Sequence, residues 1–490
     1  MIVRRRVVYM NSVKKRTAMI LAAVLLGVFW MMPAGALSHE ALCVLGIFFF
    51  SLTMWIGVSI DWPSLITLLL IGFLPSYGFS KAFSGAFGNS TVAFLIFTFM
   101  LVYPLSRTNF VRRCTVAFIT NRFARRGPWY FISFLFAAVT VLGLFISPSV
   151  LFVAFMPFLE DIYQVLELKK GSRTANMMML GTAFCISLSS GMTPIGHVWP
   201  TLVIGTLASA GIDVNQFQYM AMGIPTGIVL VILLILVFRF LYRPDDISSV
   251  DPGKAMALRG SVPAADAREK IILAVMALTV FLWIAPSLVK GILPQFYTAV
   301  NAWTSAMPPL FGCILLFLFS TEERQILNFR DAVTKGVMWG SVLMTAAATL
   351  IGACLTNADI GISAWLSSVM SPVTAGLSVT MLVLFFSAWT VLETNFSSNI
   401  VTTTVVSSVA LTVLSALPQG SVSTAAAVCL VGFGASICNM TPAGQSTINT
   451  VAIGSEWTDA RSMFVWGGVF AVLAVLVMTF VGYGIGAAVM

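Results

Sequence analysis

Ionisable residues are what this chain has least of. Among 490 residues only 9% are charged and two are histidine, whereas 59% are hydrophobic and the mean hydropathy is +0.97. A water-soluble protein carries about 25% charged residues, so a string of soluble domains is excluded and a polytopic membrane protein follows. Cysteine offers no chemistry either. Cys43, Cys114, Cys185, Cys313, Cys354, Cys429 and Cys438 form no CxxC pair and no His/Cys cluster, which supports neither a disulfide framework nor a zinc site. Phosphate-binding loops, dinucleotide fingerprints, kinase motifs and nucleophile elbows are missing. The sequence therefore points away from an enzyme and from a one-chain ATP-driven pump, calls for no cofactor, and leaves ion gradients as the energy source.

The net charge of +9 does not indicate nucleic acid. Its basic residues gather at Arg4 to Arg6 and Lys14 to Arg16, at Arg107 to Arg126, at Lys169, Lys170 and Arg173, and at Arg239 to Lys270, always beside apolar runs. This is the positive-inside pattern, and it places the N-terminus and these connections in the cytoplasm. Thr17 to Met32 continues at once into a further apolar run, so it reads as a first span and not a signal peptide. Val111 to Arg126 is too short and too basic to span, and an interfacial helix fits it better.

Each span needs about 20 apolar residues, and roughly ten to twelve such stretches can be drawn, several of them interrupted. In the first half they fall near Thr17 to Met32, Ala41 to Ile60 and Ser64 to Tyr77. Phe83 to Phe110 reads as a broken pair of short helices, and Trp129 to Leu159 is broken at Ser147-Pro148-Ser149. Met177 to Ser190 meets a loop at Gly191 to Pro200, then come Thr201 to Ala210 and Ala221 to Leu241. The polar stretch Tyr242 to Lys270, rich in proline and aspartate, is a linker between halves. The second half offers Ile271 to Leu288, Ala306 to Phe319, Gly336 to Thr356, and Leu377 to Leu417 interrupted at Thr394 to Asn399. Ala425 to Ile437 then meets a loop at Asn439 to Thr450 before Phe464 to Val481.

The two loops resemble one another. GMTPIGHVWPTLVIG pairs with NMTPAGQSTINTVAIG, and Thr193-Pro194 matches Thr441-Pro442, 248 positions on (441 − 193). The preceding interruptions align too, Ser147 to Ser149 against Ser398 to Ile400. Paired breaks at corresponding positions of two halves mark the binding site of a repeat-built secondary transporter. Broken backbone survives at membrane depth only where it lines protein or water. There, helix N-termini present N–H groups and positive dipole ends to an anion, while carbonyls and Ser, Thr or Asn oxygens take a small cation. Gly191, Gly196 and Gly444 let a ligand approach the backbone.

The run Thr394 to Val406, TNFSSNIVTTTVV, resembles the T-E-x-x-S-N-T-A-T signature of the divalent anion:sodium symporters of the ion transporter superfamily. The stretch Thr193 to Gly205 is similar to that family's I-G-T-P-P-N loop, Leu327 to Leu366 to its second hairpin and the tract after it, and Ala41 to Ile119 to the tract from its second helix through the first hairpin. The chain departs at Pro148 and Ile400, which stand where the signatures have Asn and Thr, and at Asn395, where Glu is usual. The resemblance implies an all-α polytopic fold of two internal, inverted repeats with re-entrant hairpins and discontinuous helices. It implies di- or tricarboxylate transport by an elevator-type alternating-access movement, a homodimer, and a bacterial inner membrane. Scaffold helices would be 1–80 and 211–329 (linker 242–270), the moving transport domain 81–210 and 330–458, and a C-terminal span 459–490.

Carried over by the same resemblance, Ser147, Ser149, Ser398 and Asn399 contact substrate together with Thr193, Pro194, Thr441 and Pro442. Sodium as coupling ion falls to Ser147, Gly196, Thr394, Ser398, Asn399 and Gly444. Two ionisable groups stand in apolar surroundings and are candidates for proton linkage, Glu393 and His197. Exchange or export of inorganic or sulfonated anions, and an anion channel, are the open alternatives. The partners expected are a small anion, the bilayer and a second copy, without nucleic acid.

Overall fold

The computed structural model describes residues 2–490 except 196, 290–291, 293–294, 296–303, 305, 322–323, 363, 366–367, 370–376, 416, 418–420, 442–443 and 445. Apolar runs become helices, and short polar residues start them. Ser38, Asn89, Ser172, Asn215, Ser378 and Ser423 each turn a side-chain oxygen back to a first-turn N–H, satisfying a donor that the helix itself leaves without a partner.

Helix α1 (Ile2–Met31) starts well before Thr17 and carries both basic clusters within it. It packs on α2 (His39–Gly57), which packs on α3 (Trp62–Gly72). The broken pair expected over 83–110 is α4 (Gly78–Phe87) and α5 (Ser90–Val102), parted at Gly88–Asn89. The interfacial helix is shorter than Val111 to Arg126. It is α6 (Phe110–Ile119), ended where the Asn121 side chain accepts from the N–H groups of Phe123 and Ala124, a local turn that competes with helix.

A series of elements then occurs twice. The first is α7 (Pro128–Gly143), α8 (Pro148–Val165), α9 (Arg173–Met192), α10 (Val198–Ser209) and the long α11 (Gln216–Val237), closing in a π-wound turn at 238–242. The linker holds short 3-10 turns and leads to α12 (Ala267–Val289), α13 (Met307–Leu318) and a ribbon of β1 (Ser320–Thr321) with β2 (Arg324–Gln325). A π-wound turn over 332–336 precedes α14 (Trp339–Thr356). The second series is α15 (Val379–Phe396), α16 (Asn399–Ser415), α17 (Thr424–Gly434), α18 (Ser446–Gly454) and α19 (Ala460–Val477), again closing in a π-wound turn, at 478–482, before α20 (Tyr483–Val489).

One expectation is corrected. Leu327 to Leu366, compared with a second hairpin and the tract after it, holds a helical turn at Phe329–Asp331 and the π-wound turn at 332–336, then, past Val337-Met338, the 18-residue α14. The second break, between α15 and α16, is narrower than Thr394 to Asn399. Thr394 and Asn395 stay in the last turn of α15, and the chain leaves helix only at Ser397–Ser398.

Among the described residues six helices are long and apolar enough to cross a membrane, and α7, α10, α16 and α17 are among the shorter apolar ones. A 12-residue helix such as α10 rises about 18 Å, so it ends inside a hydrocarbon layer about 30 Å thick. Its surroundings are therefore protein. Helix α10 packs against α5, α14, α16 and α17. A β-carbon at Gly205 would come within 2.9 Å of Thr91 and Thr349, and one at Gly432 within 2.6 Å of Val203. Small residues at these crossings let the backbones approach. Met177 to Met179, on α9, are fully buried core.

Candidate functional site

The first break exists because Pro148 has no N–H and pushes the residue before it out of helix. Ser147 is accordingly extended (φ −51°, ψ 134°) and α8 begins with the proline. Pro194 does the same to Thr193 (φ −139°, ψ 151°) at the end of α9. The two breaks clasp each other. The Thr193 hydroxyl donates to the Leu144 carbonyl at 2.6 Å, and His197 Nε2 lies 2.9 Å from the Gly143 carbonyl. A carbonyl only accepts, so Nε2 carries the proton. His197 is 1% exposed and its Nδ1 has no partner, the arrangement of a neutral ring. Tyr219 donates to the Gly191 carbonyl at 2.9 Å and fixes the helix end.

In the second series the clasp is built from amides. The Asn395 side chain donates to the carbonyls of Val391 at 2.7 Å and Ile437 at 2.6 Å, and accepts from the Met440 N–H at 2.7 Å. Thr394 donates to the Ala435 carbonyl at 3.0 Å, and Thr441 donates to the Asn395 carbonyl. Asn449 donates to the Cys438 and Thr441 carbonyls at 3.1 and 2.7 Å and accepts from Asn439 at 2.8 Å. Asn399 donates to the Cys438 sulfur at 3.2 Å.

One bond recurs between the series. Thr193 to Leu144 and Thr441 to Asn395 join matching positions, the acceptors being 251 residues apart (395 − 144), the same offset that aligns Ser147 with Ser398. The end of α9 also touches the end of α17: a β-carbon at Gly191 would meet the Ser436 hydroxyl at 2.4 Å and the Phe433 carbonyl at 2.7 Å. At Gly444 one would meet the carbonyls of Cys438 at 2.5 Å and Thr394 at 2.8 Å. Oxygen atoms converge there, and near them Asn439 Oδ1 is a buried acceptor without a partner. This donor set suits a small hard cation.

A cleft of about 600 Å³ opens at the first break. Ser147, Ser149 and Val150 reach it from the N-terminus of α8, Thr447 from α18, and Tyr103, Arg107 and Lys335 from the opposite wall. Ser147 makes no capping bond to its helix, so its hydroxyl and the first-turn N–H groups of α8 are left for a ligand. Lys335 pairs with Asp331 at 2.7 Å. Their hydrogen bond holds the Asp331 carboxyl below and the Lys335 ammonium above their ordinary values, so both are charged near neutral pH. Arg107 lies over the Tyr103 ring at 5.3 Å.

The structure thus brings Ser147 and Ser149 into one cavity, and Thr193 and His197 directly behind it. Ser398 and Asn399 do not line this cleft; with Thr394, Thr441 and Gly444 they form the amide-built second break. Glu393 is half-buried on α15 beside the Trp389 indole. Gly196 and Pro442 lie outside the described residues. Sequence reasoning passed over Tyr103, Arg107, Lys335 and Thr447. Arg107 was absorbed into the topology signal, Thr447 lay unremarked inside the second loop, and Tyr103 and Lys335 stand in no motif. Asn395 stood in the signature-like run and Asn439 and Asn449 in the second loop, but nothing in the sequence said which carbonyls their amides would meet.

Half-length helices broken in pairs beside a cleft are the arrangement of a multi-pass secondary transporter of the membrane. Residues 49–422 match the citrate transporter family, and the chain belongs to it. A sodium-dependent dicarboxylate transporter of Staphylococcus saprophyticus is 23% identical over 387 residues, 74% of this chain and 72% of the relative. Its counterpart in Staphylococcus aureus is 20% identical over 383 residues, 74% and 71%. An uncharacterized transporter of Methanocaldococcus jannaschii is 22% identical over 312 residues, 64% of each chain. In three dimensions the YdaH transporter of Alcanivorax borkumensis, whose structure is described as having an unusual topology, superposes with a TM-score of 0.57 at 12% identity, over 92% of this chain and 98% of that one. The resemblance to divalent anion:sodium symporters read from the signatures is met by these relatives.

Proposed function

We propose that this protein carries small divalent anions, di- or tricarboxylates, across the membrane by alternating access. The observation that carries this reading is the cleft at the first break, where the N-terminus of α8, the hydroxyls of Ser147 and Ser149, and two cationic side chains face one space. An anion of charge −2 entering against 100 mV, negative inside, is opposed by about 4.6 kcal/mol. Coupling to a cation or to a counter-anion must offset it. Na⁺ is the coupling ion favoured, because the sodium-dependent relatives are named for it and the Cys438 and Thr394 carbonyls crowd Gly444. The first break offers a cation less, since Pro148 brings no side-chain oxygen.

In this reading the two series are internal repeats. The parts holding the breaks, 81–210 and 330–458, move together against the scaffold of 1–80 and 211–329 in an elevator-type stroke, within a homodimer of the bacterial inner membrane whose N-terminus is cytoplasmic. Substrate contacts fall to Ser147, Ser149, Ser398 and Asn399, with Thr193 and Thr441 shaping the breaks. His197 serves as a neutral clasp, and Glu393 is the group that a proton-linked cycle would use.

The test is uptake of labelled succinate, citrate or sulfate into proteoliposomes preloaded with unlabelled anion, with Na⁺ and pH varied. Saturable uptake of a carboxylate, stimulated by Na⁺ and showing counterflow, is expected. Sulfate-only exchange would replace this reading with that of an inorganic-anion exchanger, and non-saturable flux with that of a channel.

A further inference from the structure

A second cavity, of about 420 Å³, lies beside the first on the side of the 242–270 linker. Arg268, at the start of α12, lines it, together with Gln325, Asn328 and Asp331; the Arg268 guanidinium is anchored on the Ile326 carbonyl at 3.1 Å. Tyr103, Arg107 and Lys335 line both cavities. They form the wall shared by a chamber that touches the linker region and the cleft that ends on Ser147 and Ser149.

Three features of the fold bring these side chains together. Helix α5 ends at Val102, and the 3-10 turn Leu105–Arg107 turns Arg107 back over the Tyr103 ring. Facing it, residues 332–336 are π-wound, with the Val337 N–H reaching the Ala332 carbonyl at 3.1 Å; such turns are rare and recur at functional sites. The last residue of that turn is Gly336, whose missing β-carbon would sit 3.0 Å from Tyr103 Cβ. Glycine therefore lets the turn lie on Tyr103, which sets Lys335 beside Arg107.

Two cations at one constriction repel each other unless an anion shares the space. Asp331 supplies part of that neutralisation through an i,i+4 pair whose side chains are 46% and 57% exposed. Such a pair is weak, so an incoming carboxylate can displace it. We propose that Tyr103, Arg107 and Lys335 form a cationic gate that receives one carboxylate of a dicarboxylate passing between the linker-side chamber and the cleft, with Lys335 exchanging Asp331 for the substrate, before the anion reaches the first break. This deepens the transport reading given above and rests on it for the identity of the anion. The gate sets charge selectivity and KM; the breaks set coupling.

The test uses the full-length protein in proteoliposomes. Arg107→Gln and Lys335→Gln are expected to raise KM for the transported dicarboxylate about five- to tenfold with maximal rate largely kept. Asp331→Asn frees Lys335 and is expected to lower KM about twofold. Opposite signs at the two ends of one ion pair are not what loss of a structural contact gives, and equal or absent shifts overturn the gate. A second measurement does not depend on transport. In a Ser149→Cys variant, a negatively charged methanethiosulfonate is expected to modify the cleft faster than a positively charged one, and adding Arg107→Gln is expected to bring the two rates together. A rate ratio unmoved by Arg107→Gln overturns the gate even if the transported anion is not a carboxylate. Absence of any anion flux with the ratio as expected overturns the transport reading and leaves the gate standing.

Discussion

Asn395→Ala is the perturbation that most directly probes the second break. The side chain is fully buried and ties the end of α15 to the loop after α17 through the Ile437 carbonyl, at 2.6 Å, and the Met440 N–H, at 2.7 Å. The bond to Val391 is less costly to lose, because that carbonyl keeps its helical partner. Truncation leaves a buried acceptor and a buried donor without mates, at about 1–3 kcal/mol each, or about 2–6 kcal/mol in total. The loop segment 437–440 also carries Asn399 on Cys438 and leads to Thr441. Loosening it should therefore abolish coupled transport as well as lower the melting temperature by several degrees. The assay is thermal unfolding of the purified protein in detergent, paired with uptake in proteoliposomes, for Asn395→Ala, Thr441→Val and the double variant. Because both side chains hold the same junction, the double variant should be less damaged than the summed single effects, with a coupling of about 0.5–3 kcal/mol. Single-variant melting temperatures equal to the parent, or strictly additive losses with transport intact, would refute the reasoning.

Further outcomes follow from the same geometry. Gly444→Ala places a methyl group against the Cys438 and Thr394 carbonyls, both backbone atoms that cannot swing away; it should cost about 1–3 kcal/mol of stability and weaken Na⁺ stimulation, which a sodium titration of uptake reads. His197→Gln keeps a donor for the Gly143 carbonyl, so the transport pH profile should overlay that of the parent. A lost limb in that profile would show that His197 titrates. In the linker, Asp246 accepts from Ser172 and from the Thr174 N–H and hydroxyl at 2.9 and 2.6 Å. Partial burial pushes its carboxyl up, but these hydrogen bonds outweigh it and hold the group below the usual carboxylate range. A depressed carboxyl adds stability that is present above the unfolded value near 4 and is lost as pH falls through the folded value. Asp246→Asn should accordingly cost up to about 1 kcal/mol at pH 7, and the difference from the parent should shrink as pH falls below about 4 and vanish only below the folded value, in urea or thermal melts.

Much of the site was legible as backbone chemistry. Pro148 and Pro194 end helices for a reason local to themselves, and both breaks lie where those prolines stand. The second break has no proline inside α15 or at the start of α16, and its limits were read too broadly: a polar run such as Thr394-Asn395 marks the neighbourhood of a break, but whether those residues stay helical depends on the loop that receives their side chains. The interfacial helix was overextended for a similar reason, since an Asn121 side chain caps its own turn.

The sequence by itself determined that this chain lives in a membrane, that its charge is concentrated at the ends of spans, and that two matched loops interrupt its helices. Those properties rest on composition, proline and spacing, which act over a few residues and do not depend on distant partners. The tertiary structure decided which polar groups meet: that Thr193 and Thr441 close equivalent bonds onto Leu144 and Asn395, and that Arg107 and Lys335, 228 positions apart (335 − 107), share one wall of the cleft. A membrane interior leaves no water to satisfy stray polar atoms. Each one must find its mate across the fold, and only the packing of helices says where that mate lies.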